Sequence, residues 1–272
     1  MIANLAVLMS VYSGDNLYFI KKAISSILHQ SYSNFIFFIL LDGPVSEEII
    51  KHLESLDDGR IKLVKNYNNS GLASSMNYLL TTINIEQFEY IARMDADDIS
   101  HPERFIKQII FLRENENVNC VGTWAYEIDS FENIIFEKKM PIDHYSCLTL
   151  FQKRDCLIHP TVMFKTNYFK KAGLYPTNTY FGEDTVMWLN GFKNNCVFAN
   201  VPEFLFYFRQ DANFFERRRG VKHAISIWKL RKMVIDELNF SKFYYLFAFL
   251  YFLIKLLPPF LIKFFYKIGR NI

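Results

Sequence analysis

Short apolar runs at residues 4–11, 35–41, 61–65 and 89–94 each stop at Gly, Asn or Asp, and longer amphipathic stretches separate them. Runs of that length, rich in β-branched and aromatic residues, read as strands, and the stretches between them as helices. Leu17, Ile20, Ala23, Ile24, Ile27 and Leu28 keep the three- and four-residue spacing of one helical face. Ser46 is placed to cap a second helix, and Pro102 stands where a helix carrying Phe105, Ile109 and Leu112 begins. Strand–helix alternation of this kind predicts an α/β fold, with a mostly parallel sheet covered by helices on both faces.

A chain of 272 residues, 51% of them hydrophobic, can bury one substantial core. Residues 1–216 are expected to form that body, with an alternating half at 1–120 and a less regular half at 121–216. Pro141, Pro160, Pro176 and Pro202 interrupt the second half, and a helix is expected near 184–194. Cys120, Cys147, Cys156 and Cys196 have neither C-x-x-C spacing nor a framework pattern, which argues against disulfides and a zinc cluster. Met1 to Tyr12 has no basic segment and no small-residue cleavage site, so it reads as a first strand, and a cytoplasmic location is expected.

The net charge of +3 hides an asymmetry: residues 217–272 hold 12 Lys/Arg against 2 Asp/Glu, and the body carries the acidic excess. Such a tail is expected to face an anionic partner. Its first part reads as an amphipathic helix, with Arg217, Arg218, Arg219, Lys222, Lys229, Arg231 and Lys232 opposite Val221, Ile225, Trp228 and Leu238. Phe243 to Leu257 follows, fifteen residues whose only charge is Lys255, and then Pro258-Pro259. That is short of the roughly 20 residues that span a bilayer, and the prolines would break a longer helix. A helix lying in the membrane interface fits the aromatics and lysines; the alternative is a helix pair packed on the core or on a second subunit. Nucleic acid is disfavoured as a partner, because the aromatic run has no use in a soluble basic arm.

In an open parallel sheet, ligands bind beyond the carboxyl ends of the strands. Ser10 and Tyr12 end the first run, Asp42 and Gly43 the second, and Arg93-Met94-Asp95-Ala96-Asp97-Asp98 the fourth. Aspartates this close repel one another, and a divalent cation with hard-oxygen preference, Mg²⁺ or Mn²⁺, resolves the repulsion for Asp95 and Asp97. Asp98 reads instead as the start of a solvated turn. Glu183-Asp184 alone reads as the acidic first turn of a helix.

The ordered set Leu8-Met9-Ser10-Val11-Tyr12, Ile24 to Tyr32, Leu41-Asp42-Gly43, Asn69-Ser70-Gly71-Leu72-Ala73, Arg93 to Asp98, and Gly182-Glu183-Asp184 with Trp188 resembles the family 2 glycosyltransferases over about 200 residues. The resemblance implies the GT-A fold and inverting transfer from a nucleotide-diphosphate sugar. It places Ser10, Tyr12 and Asp42 at the nucleobase, Gly71 with the donor, Asp95 at the ribose side and Asp97 on the metal. It makes Asp184 the general base for the acceptor hydroxyl, a role within reach of a carboxylate placed at hydrogen-bond distance. Glu183 is placed on the acceptor side. Trp188 either stacks on a sugar or fills the core, and His159 either lines the acceptor or diphosphate site or is structural. Arg93 pairs with phosphate or neutralises Asp95. Many relatives read Tyr-Arg-x-His where this chain has Tyr207-Phe208-Arg209-Gln210-Asp211; Asp211 can ligate a metal but, ionised, cannot donate to phosphate.

Neither G-x-G-x-x-G nor G-x-x-x-x-G-K-[ST] occurs, which disfavours a dehydrogenase and a phosphate-loop NTPase. A phosphatase of the Asp-x-Asp-x-Thr kind is disfavoured because Ile99 stands where the Thr would be. The remaining alternative is an inactive transferase-like assembly protein at a membrane. The resemblance and the tail together imply surface-polysaccharide synthesis, with a UDP-sugar donor (galactose, glucose or an N-acetylated relative) and a lipid-linked oligosaccharide acceptor at the cytoplasmic leaflet.

Overall fold

A computed structural model of the protein describes residues 4–179, 181–210, 214, 216 and 218–269. The elements run β1 (Leu5–Val11), α1 (Leu17–Leu28), β2 (Phe35–Asp42), α2 (Glu47–Glu54), β3 (Ile61–Asn66), α3 (Leu72–Thr82), β4 (Tyr90–Arg93), β5 (Ile99–Ser100) and α4 (Arg104–Glu114). They continue β6 (Val118–Ile128), β7 (Ile134–Lys138), α5 (His144–Phe151), β8 (Met163–Lys165), α6 (Asn167–Ala172), α7 (Glu183–Lys193) and β9 (Val197–Arg209). Three tail helices follow, α8 (Val221–Glu237), α9 (Tyr244–Lys255) and α10 (Pro259–Gly269).

All nine strands join one sheet in the order β3-β2-β1-β4-β8-β6-β9-β5, with β7 paired to β6. The expected parallel arrangement holds where the alternation was clearest, across β3, β2, β1 and β4. Beyond β4 the sheet is mixed, because β8 pairs antiparallel with both β4 and β6. Both faces are covered. Leu5, Val7 and Met9 of β1 join one core with Ile20 and Ile24 of α1 and Phe105 and Ile109 of α4. Ala6 and Leu8 point into a second core, with Met76 of α3 and with Met187 and Trp188 of α7. This alternation follows from the two-residue period of a strand buried on both faces.

Local signals set the element starts. The Ser46 side chain accepts from the Ile49 amide, capping α2 as expected. Gly43, directly after β2, has φ +83°, and a Cβ there would lie 2.7 Å from the Asn69 amide nitrogen. Gly182, before α7, has φ +80°, and a Cβ would lie 2.4 Å from Leu230 Cδ1 of α8. Glycine is therefore required at both turns.

The tail corrects one expectation. In α8 the face turned inward carries His223, Ala224, Leu230, Arg231, Val234 and Ile235, while Val221 and Ile225 are 64% and 41% exposed. The reason is an ion pair: Arg231 reaches Asp155 and donates to the Phe151 carbonyl at 3.2 Å, so a basic residue faces inward. No helix among the described residues is long and apolar enough to cross a membrane.

Gly43→Ala should lower the unfolding free energy by about 1–3 kcal/mol, from backbone strain alone or more where the clash adds to it. Urea denaturation measures it, and an unchanged midpoint would show that the β2 turn adapts.

Candidate active site

Because β1, β2 and β4 are parallel neighbours, their carboxyl ends share one rim. Ser10 is half-buried there and the Tyr12 ring is exposed. Asp42 is buried and holds the loop that leads into α3. It accepts from the Ser70 amide at 2.9 Å, the Ser70 hydroxyl at 3.0 Å, the Gly71 amide at 3.0 Å and Asn66 Nδ2 at 3.3 Å. The side of the rim expected to take a nucleobase is thus shaped by one carboxylate.

The run after β4 carries the densest charge. Ligand oxygens of Asp95, Asp97 and Asp98 all lie within 4.8 Å of one another. Asp98, read from the sequence as part of a solvated turn, is instead the most buried of the three, at 1% exposure. Its Oδ1 accepts from the Arg209 amide at 2.7 Å, while Oδ2 is buried with no hydrogen-bond partner among the described residues. Burial, with Asp97 and Asp95 close by, raises its proton affinity well above that of an ordinary carboxyl. Such a group fits a divalent cation: the donors are hard oxygens, they repel one another, and one is orphaned. Arg209 secures the run by donating through Nε to the Asp97 carbonyl at 2.7 Å and through Nη1 to the Asp129 carbonyl at 3.1 Å. Asp211, the other metal-ligand candidate, lies outside the described residues.

Arg93 is buried and pairs with Asp95 at 2.6 Å, the contact expected of a neutralising role. Its Nε and Nη1 have no hydrogen-bond partners among the described residues. Fully buried Arg104 donates to the Arg93 carbonyl at 3.0 Å and the Pro160 carbonyl at 3.2 Å, fixing the end of β4 from behind.

Across the rim, Glu183 and Asp184 open α7. The Asp184 carboxyl is raised to about 7 by burial, by Asp155 and by Glu183; the Thr185 amide, donating at 2.8 Å, and Arg93 act in the opposite sense. Asp155 carries no motif that could have marked it in the sequence. It accepts from the Thr185 hydroxyl at 2.9 Å and pairs with Arg231 of α8. An acid with its pKa near neutrality beside a metal-type carboxylate group can take a proton from a hydroxyl.

Two acceptor-side expectations are corrected. Trp188 is 0% exposed, with ring centroids 5.8 Å from His159, 5.9 Å from Phe198 and 6.1 Å from Phe164, so it presents no face for a sugar. His159 is buried and its Nε2 meets the Tyr175 hydroxyl at 3.2 Å. Burial and the Arg93 charge hold its pKa well below the ordinary range, so it acts as a neutral core histidine behind Arg93.

Residues 7–173 match the pattern of the glycosyl transferase family 2. A Methanocaldococcus jannaschii protein described as the uncharacterized glycosyltransferase MJ1057 is 31% identical over 269 residues, covering 95% of this chain and 91% of its own. An Escherichia coli UDP-Gal:alpha-D-GlcNAc-diphosphoundecaprenol beta-1,3-galactosyltransferase is 30% identical over 227 residues, covering 81% of this chain and 79% of its own. Among solved structures, the mannosyltransferase PcManGT of Pyrobaculum calidifontis, in complex with GDP-Man and Mn²⁺, superposes with a TM-score of 0.62 at 12% identity, over 86% of this chain and 64% of that one.

Asp184 is ionised in the unfolded chain above about pH 4 but in the folded protein only above about 7. Its ionisation therefore opposes folding increasingly as pH rises from 4 to 7, and fully above 7. Asp184→Asn should raise Tm at pH 8, with the gain shrinking towards pH 4. A Tm gain of the same size at pH 4 and pH 8 would contradict the raised pKa.

Proposed function

The chain belongs to glycosyl transferase family 2, and on that premise we propose that it moves a sugar from a UDP-sugar to a hydroxyl of a lipid-linked glycan, with inversion, in the building of a surface polysaccharide. The observation that carries the transfer chemistry is a pair of acidic sites joined by Arg93: the Asp95/Asp97/Asp98 group at the end of β4, and Asp184, its pKa about 7, at the start of α7.

Ser10, Tyr12 and Asp42 take the nucleobase in this reading. Asp42 has already ordered Asn66 to Gly71 against it, so the base meets a formed wall. Asp97, with Asp95 and Asp98, would hold Mg²⁺ or Mn²⁺, whose Lewis acidity stabilises the charge left on the donor diphosphate. Manganese accompanies GDP-Man in the Pyrobaculum neighbour, which supports a divalent ion here without choosing between the two. Asp184 Oδ accepts the proton of the acceptor hydroxyl as its oxygen attacks the anomeric carbon. Asp155 and Glu183 make Asp184 basic enough to hold that proton. Asp155 is itself kept in place by Arg231 and Thr185. Arg93 pairs with Asp95 beside the phosphate-binding rim, and Arg104, donating to the Arg93 carbonyl, keeps the end of β4 from shifting.

The lipid-linked acceptor is supported by the E. coli relative, whose acceptor is a diphosphoundecaprenol-linked sugar. The tail supports it as well. Phe243, Leu246, Phe249 and Leu250 of the α9 region, and Phe260 and Phe264 of α10, are exposed, and Lys222, Lys229 and Lys232 of α8 are exposed nearby in sequence. Exposed aromatics on short helices, accompanied by lysines, fit a cytoplasmic membrane surface rich in anionic lipid.

Calorimetry with UDP should show binding that requires Mn²⁺ or Mg²⁺ and that Asp97→Ala abolishes; no nucleotide binding with any divalent ion would remove the donor assignment. Asp184→Asn should keep UDP binding and lose turnover by about 10²–10⁴-fold, the usual contribution of a positioned base.

A further inference from the structure

The segment that carries the base also touches a group of cations with no part in the chemistry above. Phe181, three residues before Asp184, packs on His223 with ring centroids 4.4 Å apart. His223 stands in the first turn of α8, whose N-cap is Gly220 at φ +98°, with no side chain to satisfy the helix amides. The Gly220 amide donates to the Lys255 carbonyl at 3.0 Å, which fixes the last residue of α9 at the start of α8. The positive end of a 17-residue helix therefore opens where the Lys255 ammonium and the His223 imidazole meet.

Both side chains are more than nine-tenths buried: His223 is 6% exposed and Lys255 8%. His223 Nδ1 is buried without a hydrogen-bond partner among the described residues. The Lys255 ammonium has no carboxylate at ion-pair distance among the described residues; its nearest recorded contact is the Tyr251 ring, 5.4 Å to the centroid. Arg218, its guanidinium 3.8 Å over the Phe214 ring, adds its charge to both. Burial and this repulsion push Lys255 down to about 8 and His223 down to about 4, and no carboxylate offsets either shift. A buried ammonium beside a helix N-terminus and a second cation is unfavourable unless an anion joins it, and that anion would also favour protonation of His223.

We infer that Lys255, His223, Arg218 and the first-turn amides of α8 form an oxyanion site for the diphosphate group of the glycosyl acceptor. The inference rests on the proposed lipid-linked acceptor and deepens it. A diphosphate seated here touches His223, whose ring packs on Phe181 three residues before the base, and the sugar attached to it would have that segment beside it. The prenyl chain on its other end leaves along the exposed aromatic faces of α9 and α10. Nonspecific attraction to a membrane does not explain the arrangement, because charges that act at long range must be exposed, whereas Lys255 and His223 are buried.

The test uses the full chain with isotopically labelled histidine, in EDTA and without donor, and follows the His223 NMR resonance, identified by its loss in His223→Gln. Inorganic pyrophosphate should shift this resonance and raise its titration midpoint, and farnesyl diphosphate should do so at concentrations at least tenfold lower. Lys255→Met should abolish both responses without lowering Tm, since it removes a buried charge that has no carboxylate partner among the described residues; a structural lysine would lower Tm. Arg218→Gln, at a half-buried position, should weaken both responses and serves if Lys255→Met does not fold. No shift with millimolar pyrophosphate or farnesyl diphosphate overturns the site. A response to phosphatidylglycerol vesicles alone overturns it too, assigning the cations to lipid headgroups. Because metal and donor are absent, a silent His223 beside intact Mn²⁺-dependent UDP binding rejects only this site, and the reverse pattern rejects only the donor assignment.

Discussion

Like-charge crowding governs this molecule. Asp95, Asp97 and Asp98 crowd one another at the end of β4, and Asp155, Glu183 and Asp184 do so at the start of α7, both in partly desolvated surroundings where Coulomb energies are several times those in water. Four buried arginines, Arg93, Arg104, Arg209 and Arg231, make the arrangement tolerable. Only Arg93 and Arg231 pair directly with these carboxylates, with Asp95 and Asp155. Arg104 and Arg209 act mainly through main-chain oxygens, at Arg93, Pro160, Asp97 and Asp129. That division leaves Asp98 Oδ2 buried without a hydrogen-bond partner among the described residues, a condition under which a cation binds.

The arginines also explain why distant parts of the chain must be assembled before the site exists. They come from β4, α4, β9 and α8, spanning residues 93 to 231. The tail helix α8 holds Asp155 through Arg231, and Asp155 in turn acts on Asp184; the Leu230 side chain of α8 lies where any side chain at position 182 would fall. The body and the first tail helix therefore share one energetic unit around the start of α7.

The parts legible in the sequence are those that local rules decide. β1 to β4 were bounded by strand period and by Gly, Asn and Asp stops, α2 by its Ser46 cap, and the shared rim followed from parallel pairing. The acidic run was visible because its members are adjacent. Partnerships made across long separations were not: Arg231 lies 76 residues from Asp155, so a pattern that sends charge outward turned α8 the wrong way. Asp98 was misjudged for the same reason, its partner being the Arg209 amide 111 residues on. Trp188 failed differently. Thr185, Val186, Met187, Trp188 and Leu189 of α7 are all buried, so the helix has no polar face from which to infer where the indole points.

The tail shows how much a sign of charge leaves undecided. Its basic excess predicts an anionic partner, yet its cations fall into different physical classes. Lys222, Lys229 and Lys232 are exposed and can act only through screened, long-range attraction. Arg231 is buried with a counterion and serves the base. Lys255 and His223 are buried without one, and desolvation makes their unpaired state unfavourable in a way no surface lysine experiences. Stability alone would favour an apolar residue at position 255. A buried ammonium kept beside a helix N-terminus and the buried His223 is therefore best understood through what it binds.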